Sequence, residues 1–196
     1  MEQAALFALL AFAFVSSITP GPNNLMLMAS GANFGLRRTV PHALGVGIGF
    51  TLMIVLVGIG LMGLFDLWPR AHDVLKLVSI VYMLWLAWKI ANAAAPDGDT
   101  PARGKPMTFL QAVLFQWVNP KAWTMALTAI TVYAPTRDLA AVLLVALVFG
   151  LVNLPSTSSW AVLGQAMRGW LSSAGRLRAF NWGMAGLLVG SLAVMV

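Results

Sequence analysis

Two short polar stretches interrupt an otherwise apolar sequence, and both combine prolines with amide side chains. The first reads Ser16-Ser17-Ile18-Thr19-Pro20-Gly21-Pro22-Asn23-Asn24, and the second reads Gln116-Trp117-Val118-Asn119-Pro120-Lys121. Proline lacks a backbone donor and clashes with the carbonyl four residues earlier, so a helix must break or kink at both places. The freed backbone groups, the amides and the lysine could together bind the carboxylate and the ammonium group of a small zwitterion.

The first stretch has two interpretations. A helix that starts after Pro22 brings a partial positive charge suited to a carboxylate. The alternative is a structural kink whose backbone groups are satisfied within the protein. Two prolines, a glycine and the pair Asn23-Asn24 exceed what a kink needs, so we expect a hinge that also binds a ligand.

Lys121 lies about thirteen residues, roughly 20 Å of helix, inside an apolar segment. A lysine near the bilayer centre costs about 2.5–3.5 kcal/mol, so such residues are functional candidates by default. Lys121 could bind a carboxylate or change its protonation, whereas the alternative is that it caps helix carbonyls. Asn153 and the hydroxyls at 156–159 are candidates for the same cavity, although such hydroxyls often bond to the preceding turn.

The composition predicts an all-α integral membrane protein. Hydrophobic residues make up 60% and charged residues 9% of the 196 residues, and the mean hydropathy is +0.84. Soluble domains carry about 25% charged residues. The length leaves room for one transmembrane domain, residues 1–196.

The residue inventory excludes several other classes of site. The chain has no cysteine, which excludes disulfides and thiol chemistry. No metal-ligand cluster or phosphate-binding loop is present in the sequence, so we expect no metal and no cofactor. The net charge of +6 is dispersed between apolar runs, which indicates membrane orientation and not nucleic-acid binding.

The apolar runs predict six transmembrane helices in two inverted three-helix repeats. The predicted spans are residues 3–34, 40–64, 73–94, 108–134, 139–164 and 179–196. The proline motifs interrupt helices 1 and 4, and a third interruption is expected at 153–159 in helix 5. A cytoplasmic loop at 95–107 separates the halves 1–94 and 108–196. Paired proline interruptions at corresponding positions of opposite halves are typical of a transporter's binding site.

The loop charges predict the orientation, because cytoplasmic loops carry an excess of lysine and arginine. Eight of these residues fall on one side: Arg37, Arg38, Lys89, Arg103, Lys105, Arg168, Arg176 and Arg178. Three fall on the other side: Arg70, Lys76 and Arg137. The first side is therefore expected in the cytoplasm, with both termini outside.

The same motifs resemble the LysE/RhtB family of bacterial amino-acid exporters, and the likeness runs through most of the chain. The matching residues are Thr19-Pro20-Gly21-Pro22-Asn23, Gly31, Gly35, Arg37-Arg38, Gly45, Gly49, Leu75-Lys76, Tyr82, Leu84-Trp85-Leu86, Trp88-Lys89, Phe109-Leu110-Gln111 and Val118-Asn119-Pro120-Lys121-Ala122-Trp123. The resemblance implies export of an amino acid or its derivative across the inner membrane, driven by the proton motive force. Asn23-Asn24 and the run 115–119 are closer to the cysteine and O-acetylserine branch.

Other functions stay open at this point. A drug efflux pump is the nearest alternative, although no carboxylate lies at membrane depth. A membrane enzyme would need a nucleophile with a histidine or aspartate partner, and a non-transporting assembly subunit would need a larger exposed partner surface. Three glycine pairs have GxxxG spacing: Gly31 with Gly35, Gly45 with Gly49, and Gly186 with Gly190. They favour packing within the chain over a homodimer.

Overall fold

The computed structural model describes residues 3–61, 70–93, 105–136 and 138–194, and every regular element in these ranges is helical. Most of the predicted loop at 95–107 lies outside the described residues, as do Asp66, Arg103 and Arg137. The helices are α1 (Gln3–Ile18), α2 (Pro22–Phe34), α3 (Leu36–Leu56), α4 (Arg70–Ala91), α5 (Phe109–Phe115), α6 (Pro120–Tyr133), α7 (Leu139–Ala166) and α8 (Ala174–Gly190). A π-turn (Val57–Leu61) extends α3, and 3₁₀ turns lie at Gln116–Val118, Trp170–Ser172 and Ser191–Val194.

The structure has a helix break at both proline motifs. The axes of α1 and α2 differ by 52°, and α2 begins with Pro22, whose missing donor would be unpaired in a first turn anyway. In the second half, α6 begins with Pro120, and the Asn119 side chain accepts a hydrogen bond from the Lys121 amide at 3.2 Å. Both predicted breaks are therefore present.

The predicted third interruption is wrong. Helix α7 runs unbroken for 28 residues with Pro155 inside it. The Ser156 hydroxyl donates to the Val152 carbonyl at 2.7 Å, and the Thr157 hydroxyl donates to the Asn153 carbonyl at 2.9 Å. Hydroxyl groups beside a proline use the helix's own carbonyls in this way, so α7 tolerates Pro155 without a break.

Several helices are long and apolar enough to cross a bilayer. In the described ranges these are Leu36–Leu61, Asp73–Ala91 and Leu139–Ala166, and the bent pair of α1 and α2 qualifies as a fourth broken span or a re-entrant loop. At 1.5 Å per residue, the 26, 19 and 28 residues are enough for a hydrocarbon core of about 30 Å. The chain thus has the fold of an integral membrane protein.

Helices α1, α2 and α3 pack against α7, whereas α4 packs against α8. A Cβ on Gly31 in α2 would overlap the Ala161 backbone of α7, and a Cβ on Gly164 would overlap the Met28 backbone. Small residues at such crossings let two helix backbones approach closely. The broken pair of α1 and α2 is therefore fixed along α7.

The chain reverses direction between α2 and α3 at a single residue. Gly35 has a φ of 82°, which only glycine adopts without strain. The next amide, that of Leu36, donates to the Gln165 side chain near the end of α7. Helix α3 then returns antiparallel to α7, with Gly47 facing Leu154.

Helix α5 packs against the face of α3 that carries Gly45 and Gly49. A Cβ on Gly45 would overlap the Phe109 carbonyl, and one on Gly49 would lie 2.7 Å from the Val113 Cα atom. The glycines of this span are therefore used for helix contact. The largest apolar cluster lies between α1, α3, α6 and α7, where Phe50 and Phe149 pack edge to face with their ring centres 5.6 Å apart.

Candidate functional site

Lys121 connects the two broken helices. Its ammonium group donates to the Thr19 carbonyl at 2.7 Å, the Thr19 hydroxyl at 2.9 Å and the Pro20 carbonyl at 3.3 Å. These oxygens lie just after the end of α1, where a helix has carbonyls without internal partners. A Cβ on Gly21 would lie 2.6 Å from the Lys121 Cδ atom, so the glycine makes room for the lysine.

A second contact between the breaks is made by amides. The Asn23 Nδ2 atom donates to Gln116 Oε1 at 2.9 Å, and Gln116 Nε2 donates to Asn23 Oδ1 at 3.3 Å. Gln116 is completely buried and also donates to the Ala112 carbonyl at 2.8 Å. Sequence reasoning placed Gln116 in the second polar stretch but not in the site, because nothing in the sequence indicated which amide faces Asn23.

Two buried amide oxygens have no hydrogen-bond partner in the part of the chain that the structure describes: Oδ1 of Asn24 and Oδ1 of Asn153. The Asn24 Nδ2 atom donates to the carbonyls of Ser17 and Thr19, both at 2.8 Å. Because only a nitrogen can donate to two carbonyls, the orientation of this amide is determined and its free atom is an oxygen. The Asn153 Nδ2 atom donates to the Ser17 hydroxyl at 3.0 Å.

These side chains surround a small central cavity. Its lining residues are Ser16, Ser17, Gly21, Asn23, Asn24, Phe50, Asn119, Lys121, Ala122, Met125, Asn153 and Thr157. The cavity has a volume of about 20 Å³, and about 10–15 Å³ suffices for one water molecule. An amino acid does not fit, so the structure represents a closed state of the site.

Six of the nine predicted site residues line this cavity. The other three are prolines that shape its walls: Pro22 and Pro120 are the first residues of α2 and α6, and Pro20 contributes a carbonyl to Lys121. Sequence reasoning missed Ser16 and Ser17. The signal that could have identified Ser16 and Ser17 is their position as a pair of hydroxyl residues next to the first break.

Among the residues that line the cavity, Lys121 carries the one formal charge, and it is positive. The amino ends of α2 and α6 meet at the cavity with Lys121 between them, and each helix end adds about half a positive charge. Its lining includes no acidic residue. Asp138, outside the spans, caps α7, and the hydrogen bond from the Thr136 hydroxyl lowers the pKa of this carboxyl.

The site can therefore bind two groups of opposite charge. Lys121 and two helix ends can hold an anionic group, and the free oxygens of Asn24 and Asn153 can accept hydrogen bonds from a cationic donor. An α-amino acid carries one group of each kind.

Comparison with known proteins identifies the family of the chain. The sequence profile of the LysE type translocator family matches residues 14–196. The chain is 29% identical over 191 residues to the cysteine/O-acetylserine efflux protein of Klebsiella pneumoniae, covering 96% of this chain and 95% of that protein. It is 30% identical over 166 residues, 84% of both chains, to the protein of that name in Salmonella choleraesuis.

A third relative with the same name, from Escherichia coli K12, is 26% identical over 178 residues, 90% of each chain. No solved structure gives a significant match. The family profile spans nearly the whole chain from residue 14 onward, including both helix breaks and every residue that lines the cavity between them. This protein belongs to the LysE type translocator family and is a transporter, not an enzyme.

Proposed function

We propose that this protein exports a small zwitterionic amino acid or its acyl derivative, of the cysteine and O-acetylserine class, by alternating access driven by the proton motive force. The observation that carries the proposal is the pair of buried, unpartnered oxygens on Asn24 and Asn153 beside the Lys121 ammonium group. The substrate's ammonium group donates to these oxygens. Its carboxylate binds Lys121 and the amino ends of α2 and α6.

The bonds that Lys121 makes in the closed state support its role in alternating access. Its partners, Thr19 and Pro20, belong to the break after α1. A carboxylate that draws the ammonium group away from these carbonyls releases the end of α1. Binding and movement at the break are then coupled through one side chain.

The contacts between the broken helices support six spans in two inverted halves. Residue numbers rise in one helix as they fall in the other: Tyr133 donates to the Ala8 carbonyl, Lys121 to Thr19, and Gln116 to Asn23. The two broken helices are thus antiparallel, with their breaks side by side. In this arrangement α5 with α6 forms span four and α8 forms span six.

The orientation follows from the charges on the connecting segments. Arg37 and Arg38 follow α2, and Arg168 lies beside Gly35 at that end of the bundle. We assign this end to the bacterial cytoplasm, which places both termini outside the inner membrane. Export then moves the substrate from the carboxyl end of α2 toward the amino end of α1.

A homodimer formed through α8 is part of the proposal. A Cβ on Gly183, Gly186 or Gly190 would meet no atom within 4 Å among the described residues. These positions leave α8 open to close contact with another helix. Crosslinking of Gly186→Cys in membranes is the corresponding measurement, and its absence would contradict the dimer.

Efflux from vesicles tests the site directly. Vesicles with the purified protein are loaded with radiolabelled O-acetyl-L-serine, and a proton gradient is imposed. We expect Lys121→Ala and Asn153→Ala to lower efflux about 10- to 100-fold, since each removes a hydrogen bond to a charged group worth about 1.5–3 kcal/mol. Lys76→Ala, which removes a lysine that lines neither this cavity nor the larger one described below, is the matched control. Wild-type rates in both site variants would refute the assignment.

A further inference from the structure

A second and larger cavity lies between α2, α3, α4 and the segment before α5. Its volume is about 270 Å³, close to the lower end of small-molecule sites at about 300 Å³. One face of α2 forms its wall through Met26, Ala29, Ser30 and Asn33. The central site uses the first turn of the same helix, so the two cavities follow one another along α2.

His42 supplies the strongest indication of a ligand in this second cavity. Its side chain lines the cavity and is 1% exposed, yet neither ring nitrogen has a hydrogen-bond partner among the described residues. A neutral imidazole has one donor and one acceptor nitrogen. Leaving such a group unpaired in the interior costs about 1–3 kcal/mol, so His42 can gain hydrogen bonds from a ligand that both donates and accepts.

The neighbouring polar groups do not fill this need, because they are bonded to each other. The Ser30 and Thr39 hydroxyls lie 2.8 Å apart, and Thr39 donates onward to the Gly35 carbonyl at 2.9 Å. Asn33 and Asn181 exchange two hydrogen bonds, at 2.8 and 3.1 Å. Among the buried polar side chains in this part of the described chain, His42 is therefore the one whose side-chain nitrogens have no hydrogen-bond partner.

The mouth of the cavity is cationic. Lys89 and Lys105 are exposed residues of its lining, and Lys89 lies 4.6 Å from the centre of the Trp85 ring. The lining includes no acidic residue. A ligand that fits carries an anionic group toward the lysines and a small polar group, such as a hydroxyl, a thiol or an amine, toward His42.

We propose that this cavity is a second binding site for the exported amino acid, occupied before the substrate reaches the central site. The inference rests on the proposed function, because it takes the same substrate class. The substrate's carboxylate binds Lys89 and Lys105, its polar end bonds to His42, and its apolar atoms contact Met26. It lies at the end of the bundle assigned to the cytoplasm, where an exporter collects its cargo.

Binding stoichiometry tests the inference separately from export. The full chain is purified in detergent, and binding of radiolabelled O-acetyl-L-serine is measured by equilibrium dialysis. We expect two ligands per chain for the wild type, one for Lys121→Met and none for Lys121→Met with His42→Leu. Lys105→Ala, an exposed change that leaves the fold intact, should weaken the second site about tenfold. Lys76→Ala should leave both sites unchanged.

The location of the second binding site is tested by measuring whether the substrate protects an introduced cysteine from labelling. This is possible because the chain has no native cysteine. Asn92→Cys places a thiol in the lining of the second cavity, and Ser172→Cys places one on an exposed surface away from it. In the Lys121→Met background, O-acetyl-L-serine should slow labelling of the first thiol and not of the second. His42→Leu should abolish this protection while labelling itself continues.

The outcomes separate the two proposals. One ligand per wild-type chain, none for Lys121→Met and no protection at position 92 would overturn the second site and leave the proposed function standing. No binding and no efflux of any amino acid would overturn both. Two sites that both disappear with Lys121→Met would also overturn the inference, since the second cavity must bind independently.

Discussion

At the residue scale, Lys121 makes the capping bonds of one sequence alternative and occupies the position that the other alternative, the proposed binding role, requires. In the closed state its ammonium group caps the carbonyls that follow α1, as the structural alternative predicted. The same group lines the cavity between two helix amino ends, as the binding alternative requires. Under the proposed function, a carboxylate that enters competes with Thr19 for the lysine, so the capping bonds set the free energy that substrate binding has to exceed.

Gly21→Ala should impair transport by displacing Lys121. The new Cβ would lie 2.6 Å from the lysine Cδ atom, and relieving such a clash costs about 1–3 kcal/mol. We expect efflux to fall about 5- to 100-fold, with normal insertion into the membrane. Gly175→Ala, where a Cβ would meet no atom within 4 Å among the described residues, is the control. Equal efflux of the two variants would show that the lysine position is not critical.

At the element scale, the first break is held by tertiary bonds as well as by its prolines. Asn24 donates to the carbonyls of Ser17 and Thr19, and Lys121 donates to the carbonyls of Thr19 and Pro20. The prolines prevent the helix from forming across the break, and these side chains pair the oxygens that the break leaves free. Loss of the prolines, or of the side-chain bonds from Asn24 and Lys121, should therefore destabilise the break.

Replacing Pro20 and Pro22 together by alanine should straighten the first span and block turnover. Alanine restores both backbone donors and favours helix by about 3 kcal/mol per residue relative to proline. The measurement is efflux from vesicles together with the helix content by circular dichroism. Pro155→Ala, in the unbroken α7, should transport normally. Full activity of the double variant would reduce the break to a structural kink.

Gly164→Ala should destabilise the protein through the crossing of α2 and α7. A Cβ at this position would overlap the Met28 carbonyl, and backbone cannot move aside as a flexible side chain does. We expect a lower thermal midpoint in detergent and weaker expression. Gly175→Ala in the first turn of α8, where a Cβ would meet no atom within 4 Å among the described residues, should leave the midpoint unchanged or raise it. Equal midpoints would contradict a close contact between α2 and α7.

At the scale of the whole molecule, the assigned orientation predicts which surfaces are accessible from outside the cell. Ala140→Cys lies at the start of α7, and Ser172→Cys lies after its end; both positions are exposed. A membrane-impermeant thiol reagent added to intact cells should label position 140 only, and position 172 should react after permeabilisation. The reverse pattern would invert the topology.

Sequence reasoning predicted the features that depend on local chemistry. Proline positions 20, 22 and 120 determine the breaks because they remove backbone donors, and the apolar composition determines the membrane class. It failed at Pro155, where the neighbouring hydroxyls bond to α7's own carbonyls and the helix continues. It also missed the pairing of Asn23 with Gln116, because a contact across 93 residues depends on how the two broken helices cross.

The bonds of Lys121 in the empty site have a consequence for how the transporter returns after releasing its cargo. A carrier whose binding residues are unsatisfied when empty can reorient only with a substrate bound, and it therefore exchanges one molecule for another. Here the carbonyls of Thr19 and Pro20 pair with Lys121 when the site is empty, and the cavity of about 20 Å³ is large enough for a water molecule that can donate to the Asn24 and Asn153 oxygens. Under the proposed alternating access, the unloaded protein can therefore return alone, and we expect one-way net efflux into a medium that contains no amino acid.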